Sequence, residues 1–238
     1  MINFWYNGSN FNAVAGADSF CLGRIGFLSA KRDVRTEIIP GANMPLTIDN
    51  GRWETTSGTY QCFIQSGYGE KRNSIEVWLS KNGGAFGRLE DTEEPQYFRM
   101  ARFNAPIDEK KVLHNDVARF DVPFELSAER WLKSGEDAVE FTESGVLVNP
   151  TMYTALPLIV INGTGAGTLT INGKTIAISE IGGKLTMDSA IQRAYNDNDE
   201  SKDDMITGGY HVLGSGENAI SFTGGVTSVE IIPRWWTI

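Results

Sequence analysis

Thr168-Leu-Thr-Ile-Asn-Gly-Lys-Thr-Ile-Ala-Ile178 decides the fold class. Leu169 and Ile171 alternate with threonines, and Ile176 and Ile178 keep the same two-residue period beyond Asn172-Gly173. A two-residue type I′ loop needs φ > 0 at both central positions, which asparagine and glycine tolerate best. Period two sends successive side chains to opposite faces, so the stretch predicts an antiparallel hairpin with one buried face. Outward from it, β-rich runs recur at 20–28, 35–39, 60–64, 120–126, 156–161, 184–188, 219–222 and 228–232. Gly, Asn and Asp separate them at turn positions. Glycine fits this pattern at 26 of 238 residues, roughly 11% against a usual ~7%. The chain reads as mainly β.

One segment breaks the period. In Asn73-Ser-Ile-Glu-Val-Trp-Leu-Ser-Lys81, Ile75, Trp78 and Leu79 fall at i, i+3 and i+4, one face of a helix near 74–81. Asn73 or Ser74 supplies an N-cap, and Asn82-Gly83-Gly84 a left-handed stop. A second, shorter helix is a candidate at 189–195. The polar run Lys133-Ser-Gly-Glu-Asp-Ala predicts a linker over 133–142, between a first domain at 1–132 and a β-sandwich at 143–238.

Composition bounds the function classes. Lys and Arg number 21 against 30 Asp and Glu, a net charge of −9, and 41% of residues are apolar. That apolar content supports a sizeable core and excludes a disordered chain. No uninterrupted apolar stretch reaches the ~18 residues of a membrane span. The start, Met1-Ile-Asn-Phe-Trp5, has neither a basic nor a long apolar region, so no signal peptide is expected, and the sequons at Asn7 and Asn162 are discounted. An acidic chain lacks the cations that displace counterions from phosphates, which argues against tight non-specific nucleic-acid binding. Cys21 and Cys62 form no CxxC motif and read as buried small hydrophobes, with synthesis in a reducing cytoplasm.

No catalytic or metal constellation emerges, and no cofactor is expected. His114 and His211 stand 97 residues apart, whereas zinc needs three or four converging ligands. No Gly-x-Ser-x-Gly elbow marks a hydrolase. Gly163-Thr-Gly-Ala-Gly167 is GxGxG rather than GxGxxG and predicts a tight turn between two strands. The run Asp197-x-Asp199-x-Ser201 lacks the glycine and closing glutamate of a calcium loop. Glu90-Asp91-x-Glu93-Glu94 reads as a solvated connection. Trp235-Trp236 could stack on a sugar, but terminal aromatics more often close a core or interface. The chain therefore reads as a non-enzymatic protein that works by shape and contact.

Whole segments, in order, resemble the distal tail protein (Dit) family of long-tailed, non-contractile phages. In the second half they are Val148-Asn-Pro-Thr151, Ala155-Leu-Pro-Leu158, the Gly163–Gly167 and Asn172-Gly173 stretches, Met187-Asp-Ser189, Gly216-Glu-Asn218-Ala-Ile220 and Ile231-Ile-Pro-Arg-Trp-Trp236. In the first half they are Ile39-Pro-Gly41, the Trp78-Leu79 helix, Tyr97-Phe-Arg-Met-Ala-Arg102 and Phe120-Asp-Val-Pro-Phe124. Family members often carry Arg-Asp-Gly after Ile-Pro-Gly, where this chain has Ala42-Asn43-Met44.

The resemblance implies an N-terminal β-sandwich or split-barrel domain with one short helix, followed by a galectin-like β-sandwich. It also implies a homo-hexamer, as one ring or two back to back, at the virion's distal tail tip. Such a ring joins the tail tube protein to the tail-associated lysin or spike and to receptor-binding or baseplate proteins. DNA passes through its lumen without specific binding, which the charge of six copies, six times −9 or −54, would favour. Phe4, Trp5, Ile75, Trp78 and Leu79 are expected in the first-domain core or the ring contact, and Trp235 and Trp236 in C-terminal packing. The alternative is a carbohydrate-binding β-sandwich module for host cell-wall glycans.

Overall fold

The computed structural model describes residues 2–114 and 116–238; Met1 and Asn115 lie outside the described residues. The chain is mainly β with antiparallel sheets, and it divides into two compact units. One comprises Met1–Arg130 with Ile238, the other Trp131–Thr237.

The first unit contains β1 (Phe4–Tyr6), β2 (Ser9–Asn10), α1 (Phe11–Ala15), β3 (Ser19–Ile25), β4 (Arg32–Glu37), β5 (Leu46–Trp53) and β6 (Thr56–Ile64). There follow α2 (Tyr68–Ser80), β7 (Gly87–Asp91), β8 (Tyr97–Arg102), β9 (Asp108–Leu113) and most of β10 (Val117–Leu132). Its main sheet runs β2-β1-β7-β8-β10-β6-β3, with β9 also on β10. Strict alternation along β10 buries Ala118, Phe120, Val122, Phe124 and Leu126, and Tyr60, Cys62 and Ile64 of β6 join them. Phe4 sits amid rings, 4.2 Å from Tyr60, 5.5 Å from Phe11 and 5.7 Å from Trp78 between centroids. Such pairs add stabilisation beyond the area they bury.

Helix α2 starts six residues before the expected position at 74. Its buried face begins with Tyr68 and continues to Ile75, Trp78 and Leu79. Neither Asn73 nor Ser74 caps it. Gly67 takes a left-handed conformation before the first turn, and Asp116 accepts from the Gly67 N–H through its side chain and from the Tyr68 N–H through its carbonyl at 2.9 Å. A cap from 48 residues downstream leaves no local signature. A second helix exists, but it is α1, capped by Asn10, rather than 189–195. At 189–192 the Asp188 side chain accepts from Ala190 N–H and Gln192 is left-handed, which reverses the chain into a strand at 193–195.

The second unit contains β11 (Val139–Phe141), β12 (Gly145–Asn149), β13 (Leu158–Ile171), β14 (Lys174–Ile178), β15 (Gly183–Asp188), β16 (Arg193–Tyr195), β17 (Ile206–Thr207) and β18 (Gly216–Ile232). Residues 133–142 are not a linker. Lys133–Gly135 form a 3₁₀ turn, β11 pairs with β18, and Gly135 accepts from Arg234 N–H at 2.7 Å. A polar, turn-rich run reads alike whether it joins domains or edges a sheet. Asn172 and Gly173 both have positive φ, as the type I′ hairpin between β13 and β14 requires.

Gly163–Gly167 is not a turn between separate strands. β13 runs straight through it, paired with β15 before the glycines, with β14 after them, and with β18 along both halves. The register slips at Asn162/Gly163 and again between Gly163 and Gly167. Irregularities of this kind let one strand pass from one layer of a sandwich to the other. Both halves then send side chains (Ile159 and Ile161, Leu169 and Ile171) into one core with Val229 and Ile231. The bend demands glycine, because a Cβ on Gly163, at φ +154°, would lie 2.0 Å from the Gly225 carbonyl oxygen. Gly163→Ala should therefore cost the second unit about 3 kcal/mol or more, whereas Gly165→Ala, with nothing within 4 Å, should cost about 1 kcal/mol. Amide hydrogen exchange would show protection falling across β13 and β18 in the first variant and persisting in the first unit.

His211 is buried in this core with Nε2 3.2 Å from the Leu169 carbonyl oxygen, and burial holds its imidazole down to about 4. An unfolded histidine titrates near 6.5, so only the unfolded chain gains that proton between the two values. The contribution is fully present above pH 6.5 and is lost as pH falls through 4, about 3 kcal/mol in all. Urea titrations across this range should show second-unit stability falling, and His211→Gln should flatten the fall.

Candidate assembly surface

β4 and β5 pair only with each other, apart from the main sheet. Their register places Arg35 opposite Ile48 and Glu37 opposite Leu46. No residue from 31 to 53 is buried, so this two-stranded ribbon has no core. Its stem is stitched by charge. Arg32 contacts Asp49 at 2.9 Å, Arg52 contacts Asp33 at 2.6 Å and Lys31 contacts Glu54 at 3.0 Å. Hydrogen bonds from Asn50 and Arg52 hold the Asp33 carboxyl below its usual range, and those from Gly51 N–H and Arg32 do the same for Asp49. Toward the tip the charges stop. Ile38-Ile-Pro-Gly-Ala-Asn-Met-Pro45 carries none, and Gly41 at φ +82° with an Ala42 N–H to Ile39 carbonyl bond makes a Pro-Gly type II turn. Ile38 is 86% exposed and Met44 80%, and Ile39, Leu46 and Ile48 are also in water. Ala42-Asn43-Met44 thus lies at the crown of the ribbon.

Other surfaces of the first unit also expose apolar side chains. Leu22 and Ile25 of β3 and Leu28 beyond it are exposed. A cleft of about 440 Å³ opens between α2 (Arg72, Glu76, Ser80) and the loop holding Phe103, Pro106 and Ile107. Its charged rim is internally paired, with Arg72 3.1 Å from Glu76 and 3.0 Å from Glu109.

The sequence-predicted residues are distributed as follows. Phe4, Ile75, Leu79 and, at 8% exposure, Trp78 lie in the first-unit core, with Trp78 Nε1–H donating to the Tyr6 carbonyl at 3.2 Å. Trp5 points to the other face of β1 and is half-buried. In the second unit Trp235 is buried, and half-buried Trp236 donates to the Thr154 carbonyl at 2.9 Å and packs on Tyr153. A buried ring cannot serve as a sugar platform.

The acidic run 90–94 is not simply a solvated connection. Asp91 is buried, accepts the Tyr60 hydroxyl at 2.6 Å and caps the N–H groups of Glu93 and Glu94. Glu94 accepts from Arg24 at 2.9 Å and Arg130 at 2.7 Å. Burial pushes the Glu94 carboxyl up, but the two guanidinium groups outweigh it and hold it below its usual range. Carboxylates pinned this way order a loop rather than move protons. At 196–201, Asp197 pairs with Lys184 at 2.8 Å and Glu200 with Asn196 at 2.9 Å. Among the described residues no three His, Cys, Asp or Glu side chains converge as metal ligands. Of the ribbon, the sequence marks only the run at 35–39 within and beyond β4, because β5, Leu-Thr-Ile-Asp-Asn-Gly-Arg-Trp, has too few apolar residues to mark a buried strand.

Neither a family model nor a curated protein sequence matches the chain. Solved structures do match in fold. The Dit protein (gp 19.1) of phage SPP1 aligns over 100% of both chains with a TM-score of 0.76 at 10% identity. It is described as a paradigm of the hub adsorption apparatus in phages that infect Gram-positive bacteria. A chain of the phage p2 baseplate in its activated conformation aligns over 97% of this chain and 98% of its own, with a TM-score of 0.50 at 7% identity. The chain therefore has the fold of a phage distal tail protein.

Because the ribbon buries nothing of its own, Leu46→Ser with Ile48→Ser should change the unfolding free energy of the isolated chain by only about 0.5 kcal/mol per site. Urea denaturation of a dilute sample measures this, and a large loss would place those side chains in a core.

Proposed function

We propose that this protein is a structural hub of a phage tail tip, without enzymatic activity, in which six copies close into a ring around the DNA exit channel. The observation that carries the reading is the coreless ribbon β4–β5, whose apolar crown needs cover that its own chain does not supply. Isolated two-stranded ribbons are marginal in water, and exposed apolar clusters of this kind mark interaction sites. A cyclic ring uses one heterologous contact repeatedly, so a projecting ribbon on one side of a subunit and a receiving face on the other is the arrangement it requires. The next copy of the chain is the occupant that this reading assigns to the ribbon. The shared fold with the SPP1 Dit protein supports the same role. The remaining surfaces would join the tail tube protein on one side and a tail-associated lysin or spike and receptor-binding or baseplate proteins on the other. The protein would then be a virion component.

Charge distribution refines the view of the channel. Residues 1–130 hold 15 Lys and Arg against 17 Asp and Glu, a net −2, whereas residues 131–238 hold 6 against 13, a net −7. A ring of first units would carry six times −2, or −12, rather than −54. A wall so close to neutral offers a polyanion little to bind, which suits passage.

Light scattering on the full chain should give a species six or twelve times the 26.2 kDa chain mass. Leu46→Asp with Ile48→Asp should reduce it to folded monomer. A wild-type protein that stays monomeric even with the tail tube protein present, yet binds cell-wall glycans, would replace this reading with the carbohydrate-binding module.

A further inference from the structure

Cys21 of β3 and Cys62 of β6 are directly opposed in the antiparallel ladder, and both are fully buried free thiols. The register also reveals which kind of opposed pair they form. Just outside the paired strands, Gln65 N–H donates to the Asp18 carbonyl at 3.2 Å, so 18 and 65 form a hydrogen-bonded pair. Ser19↔Ile64, Phe20↔Phe63 and Cys21↔Cys62 follow without a slip, the bulge coming only between Cys21 and Gly23. Hydrogen-bonded and non-hydrogen-bonded pairs alternate along such a ladder. Counting inward, 20/63 is hydrogen-bonded and 21/62 is not. Non-hydrogen-bonded pairs bring Cα atoms to about 4.5 Å with their side chains close together, inside the ~4.4–6.8 Å that a disulfide spans. The backbone is therefore already placed for the bond.

We propose that Cys21 and Cys62 are an oxidisable pair that closes into a cross-strand disulfide between β3 and β6, the strands that lead into and out of the β4–β5 ribbon. The two cysteines stand 41 residues apart with the whole ribbon between them, so the bond would clamp the strands from which it springs. Their environments divide the roles. A hydrogen bond with Cys62 lowers the Cys21 thiol, whereas burial pushes the Cys62 thiol up. Cys21 is therefore assigned the first attack: once the strand pair opens or before it has closed in folding, its thiol loses a proton, attacks a small disulfide oxidant such as oxidised glutathione, expels one glutathione thiolate and leaves a mixed disulfide. Cys62 then gives up its proton, attacks the Cys21 sulfur and expels the second glutathione. Two protein thiols and one glutathione disulfide become one protein disulfide and two glutathione thiols. The inference stands on the first unit's own geometry, and it survives whether or not the chain forms a ring.

The test exposes reduced full-length protein to oxidised glutathione, both native and during refolding, then measures intact mass and free thiols under denaturing, non-reducing conditions. The expected result by either route is loss of both thiols, one linked peptide pair holding Cys21 and Cys62, and a melting temperature raised on the order of 10 °C. Dithiothreitol should reverse all three. Cys21→Ser should form no monomeric disulfide and show no such rise. Two thiols still titratable by both routes, sulfur trapped only as glutathione adducts or intermolecular bonds, or a linked protein that melts no higher would each overturn the proposal.

Discussion

A strand pair has two faces, and apolar side chains on either must be covered by something. The first unit covers its main sheet with the rings around Phe4 and with the Tyr68-Ile75-Trp78-Leu79 face of α2. The second unit achieves cover by bending β13 at Gly163–Gly167, so that the two halves of one strand face a common core. The ribbon β4–β5 has neither device. Its stem is held by ion pairs that tolerate water, and its crown exposes Ile38, Ile39, Met44, Leu46 and Ile48. What separates the ribbon from the rest of the protein is that none of its residues is buried, and that is why the assembly contact is assigned to it.

Polar groups obey the same demand in a different form, since a buried donor or acceptor without a partner costs roughly 1–3 kcal/mol. Asn218, fully buried, meets it from every side. It donates to the carbonyls of Gly214 and Gly216 and accepts from the Gly214 N–H and the Asn172 amide. It thereby ties the type I′ hairpin to β18. Asp91 and Glu94 play the matching part in the first unit, anchoring the loop after β7 to Tyr60, Arg24 and Arg130. Both constellations, one around the Asn172-Gly173 turn and one in the acidic run at 90–94, hold backbone in place.

Much of the architecture was legible in the sequence. Alternation marked β10, β14, β15 and both halves of β13, and Asn172-Gly173 located the hairpin with its φ signs. The apolar triplet Ile75, Trp78 and Leu79 identified α2, because a helix face repeats within four residues wherever the chain lies. The start of α2, the fate of 133–142 and the path through Gly163–Gly167 were misread. Each depends on a contact distant in sequence: Asp116 on Gly67, Gly135 on Arg234, and Gly163 beside Gly225.

The same division holds for the candidate site. The sequence alone determined that the chain is a mainly β, acidic protein with two regions of short strands. Local periodicity records which side of an element is apolar, and that is enough for so much. Only the tertiary structure decided that the apolar crown at 38–48 has no cover, that Cys21 faces Cys62 across a non-hydrogen-bonded pair, and that a glycine run bends one strand instead of ending it. Cover, register and close backbone approach are relations between segments far apart in the chain, and no pattern within either segment encodes them.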